Sequence, residues 1–141
     1  MNSRTMPPRN PRTRVVTSSQ VRSYLAKAEE YVAAAADELE AGRGIAATSL
    51  AVHAGINSAD VVCGARLGTR ATGHDHAQAL ELLKQAGKDG SELGTELRRL
   101  LPMKTKAEYD SDDIPLSAAT KAVERARRCV VIAIRVQRSS R

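Results

Sequence analysis

Residues 45–67 are dominated by small and aliphatic side chains, and polar side chains recur among them every three or four positions. The four that share this spacing are Ser49, His53, Asn57 and Asp60. Positions three and four apart lie on one side of an α-helix, so these residues form one polar stripe on an otherwise apolar cylinder. The pattern predicts the central helix of a bundle. Its stripe would form a pocket or a symmetric dimer contact, or else a hydrogen-bonded network that ties the helix to its neighbours.

The composition favours helices throughout the chain. The 141 residues contain no Phe, no Trp and three Tyr, so aliphatic side chains and alanine must fill the core of what is one domain's length. Alanine is the best helix former and has a small side chain. The most strand-like run, residues 130–136, continues the helical pattern that precedes it. We therefore expect an all-α bundle whose short connections make neighbouring helices antiparallel.

Capping and breaking residues divide the chain into helices. Ser18 or Ser19 would cap the first helix, which Gly42 and Gly44 end before the second helix at 45–67. A third helix is predicted from about His76 to Gly87, followed by a turn at 88–90. Ser91 would cap a fourth helix, which ends or kinks at Pro102. A helical piece at 104–109 and a last helix capped by Ser117 complete the predictions.

Positive charge is concentrated at both ends of the chain. Residues 1–17 carry four arginines and no acid, and residues 121–141 carry seven Lys or Arg and one acid. Prolines among the N-terminal arginines predict a disordered basic tail at 1–17, followed by a single domain at 18–138. Basic ends of this kind suit nucleic acid or an acidic partner.

The last helix carries a basic face. Lys121, Arg125, Arg128 and Arg135 fall within an arc of about 80°, at roughly 100° per residue. Such a face can lie along the phosphate backbone of RNA or DNA, with an affinity that depends on salt and ignores base sequence. The alternative is a helix surface that is solvated or paired with acidic side chains.

The bend between the second and third helices combines arginines with histidines. Five residues separate Arg70 from His76, and Arg66 and His74 lie nearby as alternates. An imidazole can move the proton of the ribose 2′-hydroxyl while a guanidinium holds the scissile phosphate, so this pair could cleave RNA without a metal. The alternative is a solvated turn that caps the next helix at Asp75 or His76.

Metal chemistry and membrane insertion have little support in the sequence. His74, His76 and Cys63 could approach one ion, but no second pair of ligands stands at the usual spacing, so we expect neither a metal nor a cofactor. Cys63 and Cys129 fall on apolar helix faces and are expected to be buried, reduced thiols. The sequence has no run of membrane-spanning length and no apolar signal core, so we expect a cytoplasmic protein without a membrane partner.

Three runs of the sequence resemble the HEPN domain family (higher eukaryote and prokaryote nucleotide-binding), above all its small actinobacterial members. They are YLAKAEEYVAAAADELEAGRGIAATSLAVHAGINSADVVCGARLG, GHDHAQALELL and KTKAEYDSDD, and the similarity covers residues 18–137. The resemblance implies an up-and-down bundle of four or five helices that pairs into a homodimer. Many members are metal-independent ribonucleases with an arginine, four to six intervening residues and a histidine. Arg70 and His76 satisfy that spacing, although Ala71 stands where active members usually have a polar residue.

Two functions follow from these residues and this resemblance. The first is a nucleic-acid-associated, non-catalytic interaction module in a defence or toxin–antitoxin context. The alternative is a metal-independent endoribonuclease in which His76 is the general base and Arg70 holds the phosphate. A partner protein that docks through the acidic loop at 108–113 is a third interpretation.

Overall fold

Six helices and a short two-stranded ribbon make up the described part of the chain. The structure is a computed structural model that describes residues 12–72 and 76–140. It confirms the prediction of an all-α bundle. The elements are β1 (Thr13–Val15), α1 (Ser18–Glu40), α2 (Gly44–Leu67), β2 (Thr69–Ala71), α3 (Ala77–Leu83), α4 (Gly87–Leu100), α5 (Pro102–Glu108) and α6 (Leu116–Ser139).

The central position predicted for residues 45–67 is confirmed, because α2 packs against each of the other helices named above. Small side chains make this possible, and Ala47, Ala51 and Ala54 are fully buried. At Gly55 an added Cβ would lie 2.7 Å from Leu100 Cδ2, so α4 crosses α2 where α2 has no side chain. Fully buried leucines occupy much of the space that aromatic rings fill in other cores: Leu83, Leu93, Leu97 and Leu100.

The four long helices alternate in direction along the chain. Gly64, near the end of α2, packs against Val21 at the start of α1, so these two helices are antiparallel. Arg66 at the end of α2 reaches Asp89 at the start of α4 and Ser139 at the end of α6. α4 is therefore antiparallel to α2, whereas α6 lies parallel to it. The up-and-down order holds for consecutive long helices, and α2 and α6 meet as parallel neighbours.

Three predicted caps are wrong. Thr17 caps α1 instead of Ser18 or Ser19: its hydroxyl accepts a hydrogen bond from the Gln20 N–H at 3.1 Å, while the Gln20 side chain accepts one from the Thr17 N–H at 2.8 Å. This reciprocal capping box satisfies two backbone donors, so it is preferred to a single hydroxyl cap. The serines predicted to cap α4 and α6 lie inside those helices: Ser91 and Ser117.

The predicted turn at 88–90 is also wrong, because those residues form part of the first turns of α4. The chain reverses one residue earlier, at Gly87, whose φ of +74° is accessible to glycine at little cost. The third helix, predicted to run to about Gly87, ends at Leu83. Two other predictions are confirmed: Pro102 opens a new helix, and residues 130–136 are helical.

The disordered tail predicted for residues 1–17 needs a correction within its described part. Residues 13–15 form β1, which pairs antiparallel with β2, so that Thr13 faces Ala71, Arg14 faces Arg70 and Val15 faces Thr69. The rest of the predicted tail, residues 1–11, lies outside the described residues. The bend after α2 is thus partly a strand, held in place by the segment that precedes α1.

The two cysteines are buried and unpaired, as predicted. Burial raises the pKa of both Cys63 and Cys129 to about 12, so each thiol stays protonated at neutral pH. Within residues 12–72 and 76–140, no helix is long and apolar enough to cross a bilayer.

Candidate nucleic-acid interface

One end of the bundle brings the β1–β2 ribbon together with the start of α1 and the ends of α2 and α6. The Val16 N–H donates to the Gly68 carbonyl at 3.0 Å, which joins the ribbon to the end of α2. The Arg66 guanidinium donates to the hydroxyls of Ser139 at 3.2 Å and Ser140 at 3.4 Å, which joins α2 to α6. We call this region the ribbon end and define it as residues 12–22, 66–72 and 137–140.

The ribbon docks here because two glycines permit it. Gly68 ends α2 in the left-handed conformation, with φ +72°, and its N–H donates to the Gly64 carbonyl. At Gly64 itself an added Cβ would lie 2.7 Å from Val21 Cγ2 and 2.8 Å from Val16 Cγ2. The ribbon and α1 therefore pack directly on the backbone of α2. This packing positions Arg22 of α1 and Arg70 of β2 at the ribbon end.

A surface cavity of about 540 Å³ opens at the ribbon end. Its polar lining includes Arg22, Arg66 and the side chains of Ser18, Gln137 and Ser140. Arg66 is held in an ion pair with Asp89 at 2.9 Å. Arg22 is exposed and has no acidic partner in the described part of the chain, so its guanidinium is available to a ligand.

Two further exposed arginines lie in the N-terminal segment of the ribbon end. Arg12 and Arg14 flank Thr13 on β1, and neither has a carboxylate partner among residues 12–72 and 76–140. Planar guanidinium groups bind phosphate oxygens with two parallel hydrogen bonds, which makes unpaired arginines good phosphate ligands. With Arg22 and the exposed Arg138, they give the ribbon end its accessible positive charge.

Arg70, the predicted phosphate-holding residue, lies half-buried on β2. Its guanidinium carbon is 5.5 Å from the centroid of the Tyr24 ring, and its Nη1 donates to the Ala71 carbonyl at 3.3 Å. Its Nε is buried and has no hydrogen-bond partner in the described residues. The nearby Asp60 carboxyl is largely buried: burial raises its pKa to about 7, although the charge of Arg70 acts to lower it.

The histidines of the predicted site are only partly described. His76 precedes α3 directly, at the N-cap position, and its carbonyl accepts a hydrogen bond from the Ala79 N–H at 3.1 Å. Its side chain is half-buried. His74 and the alternative cap Asp75 lie outside the described residues. Arg66, the alternate to Arg70, is engaged by Asp89 and joins three helices.

The predicted basic face of α6 is largely neutralised by α4. Arg125 and Arg128 both pair with Glu96, at 3.4 and 3.2 Å. Arg135 pairs with two further acids of α4, Asp89 at 2.7 Å and Glu92 at 2.6 Å. The structure thus matches the acid-paired alternative for three of the four predicted residues, and the fourth, Lys121, is exposed without such a partner in the described chain.

The spacing of the acids on α4 is a signal that could have predicted this pairing. Asp89, Glu92 and Glu96 stand three and four residues apart, so they share one face of the helix. Hydrogen bonds from Arg66 and then Arg135 hold the pKa of Asp89 below its usual range. The unpaired arginines of the ribbon end had no comparable signal, because their position depends on how residues 12–17 fold back onto α2.

One member of the polar stripe of α2, His53, ties that helix to its neighbours. The His53 ring stacks on Tyr31 of α1, with centroids 5.3 Å apart, and its Nε2 lies 3.7 Å from Glu108 Oε1 of α5. Asn57 donates to the His53 carbonyl at 2.9 Å. The other two members face different surroundings: Asp60 lies near Arg70, and Ser49 lines a cavity at the opposite end of the bundle. The contacts of His53 fit the network interpretation, whereas the Asn57 hydrogen bond stays within α2.

The metal ligand set that the sequence disfavours, His74, His76 and Cys63, is only partly described. No group of three His, Cys, Asp or Glu side chains comes close enough there to hold an ion. Of the set considered from the sequence, His74 is not described and Cys63 is a buried thiol whose pKa is raised to about 12. A thiol must lose its proton to bind a metal, so burial disfavours Cys63 as a ligand.

Comparison with known proteins adds no family to this geometry. No protein-family model matches the chain, and no curated protein shows significant similarity to it. Membership of the HEPN family therefore stays a prediction from the residues that carry the resemblance.

Proposed function

We propose that this protein is a HEPN-like, nucleic-acid-associated interaction module that binds the phosphate backbone through its ribbon end. One observation carries the proposal: Arg22, which lines the cavity, and Arg12 and Arg14 in the adjoining N-terminal segment are exposed without acidic partners in the described chain, whereas three residues of the basic face of α6 are paired with α4. The resemblance adds a defence or toxin–antitoxin context. The buried, unpaired thiols fit the reducing conditions of the cytoplasm.

The ribbon itself favours an anionic ligand. Arg14 and Arg70 stand directly opposite each other across the two strands. Like charges at facing positions repel each other, so this pair destabilises the ribbon when nothing is bound. A phosphate group between or beside them would remove that repulsion. Binding of this kind depends on salt and carries no base sequence information.

We expect the triple substitution Arg12→Gln, Arg14→Gln and Arg22→Gln to weaken binding of single-stranded RNA by roughly tenfold or more at low salt. The measurement is fluorescence anisotropy with a short labelled RNA, repeated from low to physiological salt. Each lost phosphate contact should also reduce the slope of log K against log salt by about 0.7.

A matched variant removes the same charge from α6: Lys121→Gln, Arg125→Gln and Arg128→Gln. Because two of these arginines are already paired with Glu96, this variant should bind nearly as well as the wild type. Circular dichroism would show that both variants keep their helical content. Equal losses for the two variants would mean that overall charge drives binding, and a larger loss for the α6 variant would refute the proposed site.

A second function is favoured by one specific observation. Asp60 and Arg70 place a carboxyl that titrates near pH 7 close to a guanidinium that has an unused buried N–H. Groups with shifted pKa values beside a charge partner are typical of acid–base sites. We infer that a metal-independent ribonuclease is the alternative: Arg70 would hold the phosphate, His76 would take the 2′-hydroxyl proton, and Asp60 would be a further acid.

This alternative predicts that purified protein cuts single-stranded RNA in the presence of a metal chelator and leaves 2′,3′-cyclic phosphate ends. His76→Ala should abolish the cutting, because the general base is lost, and Arg70→Ala should do the same. Product ends are read by mass spectrometry. Cutting by His76→Ala at the wild-type rate would identify a contaminating nuclease, and no cutting by the wild type would leave the binding module as the function.

The homodimer remains part of the proposal on the strength of the resemblance. Of the polar stripe of α2, which suggested a symmetric contact, His53 contacts Tyr31 and Glu108 of the same chain. Sedimentation velocity at micromolar concentration would test the dimer, and a single monomer boundary would refute it.

A further inference from the structure

A second surface cavity lies at the end of the bundle opposite the ribbon end. It has a volume of about 470 Å³ and lies between the start of α2, the turn before it, α5 and the loop that leads to α6. The 24 residues of α2 separate the two ends by about 35 Å, at 1.5 Å per residue. We call this cavity the notch. It is lined by Gly42, Arg43, Gly44, Ile45, Ala46, Ser49, Ala107 and Asp113.

The lining of the notch is mainly apolar. Ile45 is 44% exposed there, although the rest of α2 is the most buried helix of the bundle. Ala46 and Ala107 add methyl groups, and the Ser49 hydroxyl has no hydrogen-bond partner in the described residues. An aliphatic side chain of a partner could cover Ile45 and contact these methyl groups.

The loop that borders the notch is acidic, and we call it the rim. Asp113 lines the cavity, and Asp110 and Asp112 stand in the same loop. All three are exposed and pair with no cation in the described chain. The one basic residue of the lining, Arg43, is already bound by both carboxylate oxygens of Glu38. The rim therefore presents negative charge in a protein whose formal net charge is +6.

The notch is also held in a fixed shape. At Gly44 an added Cβ would lie 2.6 Å from the Ile114 carbonyl oxygen, so the loop before α6 is packed against the α2 backbone. The Asp113 carboxylate accepts a hydrogen bond from the Ile114 N–H at 2.9 Å, which orders the rim. A site formed in advance loses less entropy when it binds a partner.

We propose that the notch docks a basic segment of a partner protein, in which one aliphatic side chain covers Ile45 and flanking lysines or arginines meet Asp110 and Asp112. The charge complementarity of rim and segment selects this occupant over an acidic or neutral one. The proposal does not rest on nucleic-acid binding, because the two sites lie at opposite ends of the bundle. A partner and a nucleic acid can bind at the same time.

Selection from a random peptide library displayed on phage tests the proposal with the full-length protein. Enriched peptides should carry an aliphatic residue with at least two lysines or arginines close to it. A synthetic peptide with the enriched sequence should then bind the wild type, and Ile45→Ser should weaken that binding by about tenfold, because the apolar anchor is lost. Asp110→Asn with Asp112→Asn should weaken it several-fold at low salt and less at high salt.

Matched controls make the result specific to the notch. Val131→Ser removes an aliphatic side chain that is 59% exposed on α6, and Glu29→Gln with Glu30→Gln removes two exposed acids of α1. Both controls should bind the peptide as the wild type does. The proposal is overturned if no peptide is enriched, if the enriched peptides are acidic or neutral, or if Ile45→Ser binds them unchanged.

Discussion

Replacing Gly90 by alanine should destabilise the fold by about 3 kcal/mol. A Cβ at this position would lie 2.2 Å from the carbonyl oxygen of Leu83 and 2.7 Å from the Ala86 Cβ. The nearest obstacle is backbone, so a side-chain rotation cannot relieve it, and α3 and α4 would have to move apart. Urea unfolding followed by circular dichroism measures the change as a lower midpoint at constant m-value.

Gly94 provides the matched control on the same helix, one turn further on. A Cβ there would lie 4.0 Å from Leu83 Cβ, which is ordinary contact distance. Gly94→Ala should therefore stabilise the protein by about 0.5–1 kcal/mol, because alanine loses less conformational entropy in a helix than glycine does. Similar midpoints for the two variants would show that α3 and α4 are not packed as closely as described.

Gly90 also shows why some helix boundaries could not be predicted from the sequence. The run Lys88-Asp89-Gly90 has the composition of a turn. Gly90 nevertheless lies inside α4, where its lack of a side chain allows the Leu83 carbonyl to approach the helix backbone. A one-dimensional pattern does not distinguish a glycine that bends the chain from one that makes room for a neighbour. The same holds for Ser91 and Ser117, which have the side chains of caps but lie inside helices.

Helical periodicity predicted more than single residues did. The apolar repeats of α1, α2 and α6 extend over six turns or more, and they gave the long helices and the central position of α2. Each strand of the ribbon has three residues, which is too short for an alternating pattern to stand out. The ribbon forms because Val16 hydrogen-bonds to Gly68 and packs on the α2 backbone at Gly64. Both are tertiary contacts, which a local sequence pattern does not contain.

The candidate site also depends on tertiary contacts that helical spacing does not contain. The sequence predicted the arc of Lys121, Arg125, Arg128 and Arg135, but whether these side chains are free or paired depends on which face of α4 lies beside them. Helical spacing tells which residues share a face and says nothing about the charge of the neighbour. Conversely, Arg22 belongs to no pattern in the sequence that predicts a site. It lines a cavity with Arg66 because α1 and α2 are antiparallel.

Replacing Asp60 by asparagine should stabilise the protein at pH 8 by about 4 kcal/mol and have little effect below pH 4. Burial raises the pKa of Asp60 from 3.8 to about 7, so the folded protein holds this proton more tightly than the unfolded chain does. Below pH 4 the carboxyl is protonated in both states. Between pH 4 and 7 the unfolded chain ionises first, and the stability contributed by the protonated form is lost as the pH rises. Above pH 7 the folded protein carries the full penalty of a buried charge, which asparagine avoids because it does not ionise.

The measurement is the free energy of urea unfolding of Asp60→Asn and wild type at several pH values between 4 and 8. Asp37→Asn is the control, since Asp37 is exposed on α1 and its removal should not change the pH dependence. A constant difference between Asp60→Asn and wild type across this range would show that folding does not shift the pKa of Asp60, and the ribonuclease alternative would lose its acid. A difference that grows with pH would establish a carboxyl that is protonated up to about neutrality close to Arg70. A bound phosphate group that accepts a hydrogen bond from the protonated Asp60 carboxyl would stabilise its neutral form. Phosphate binding should therefore raise the pKa of Asp60 further.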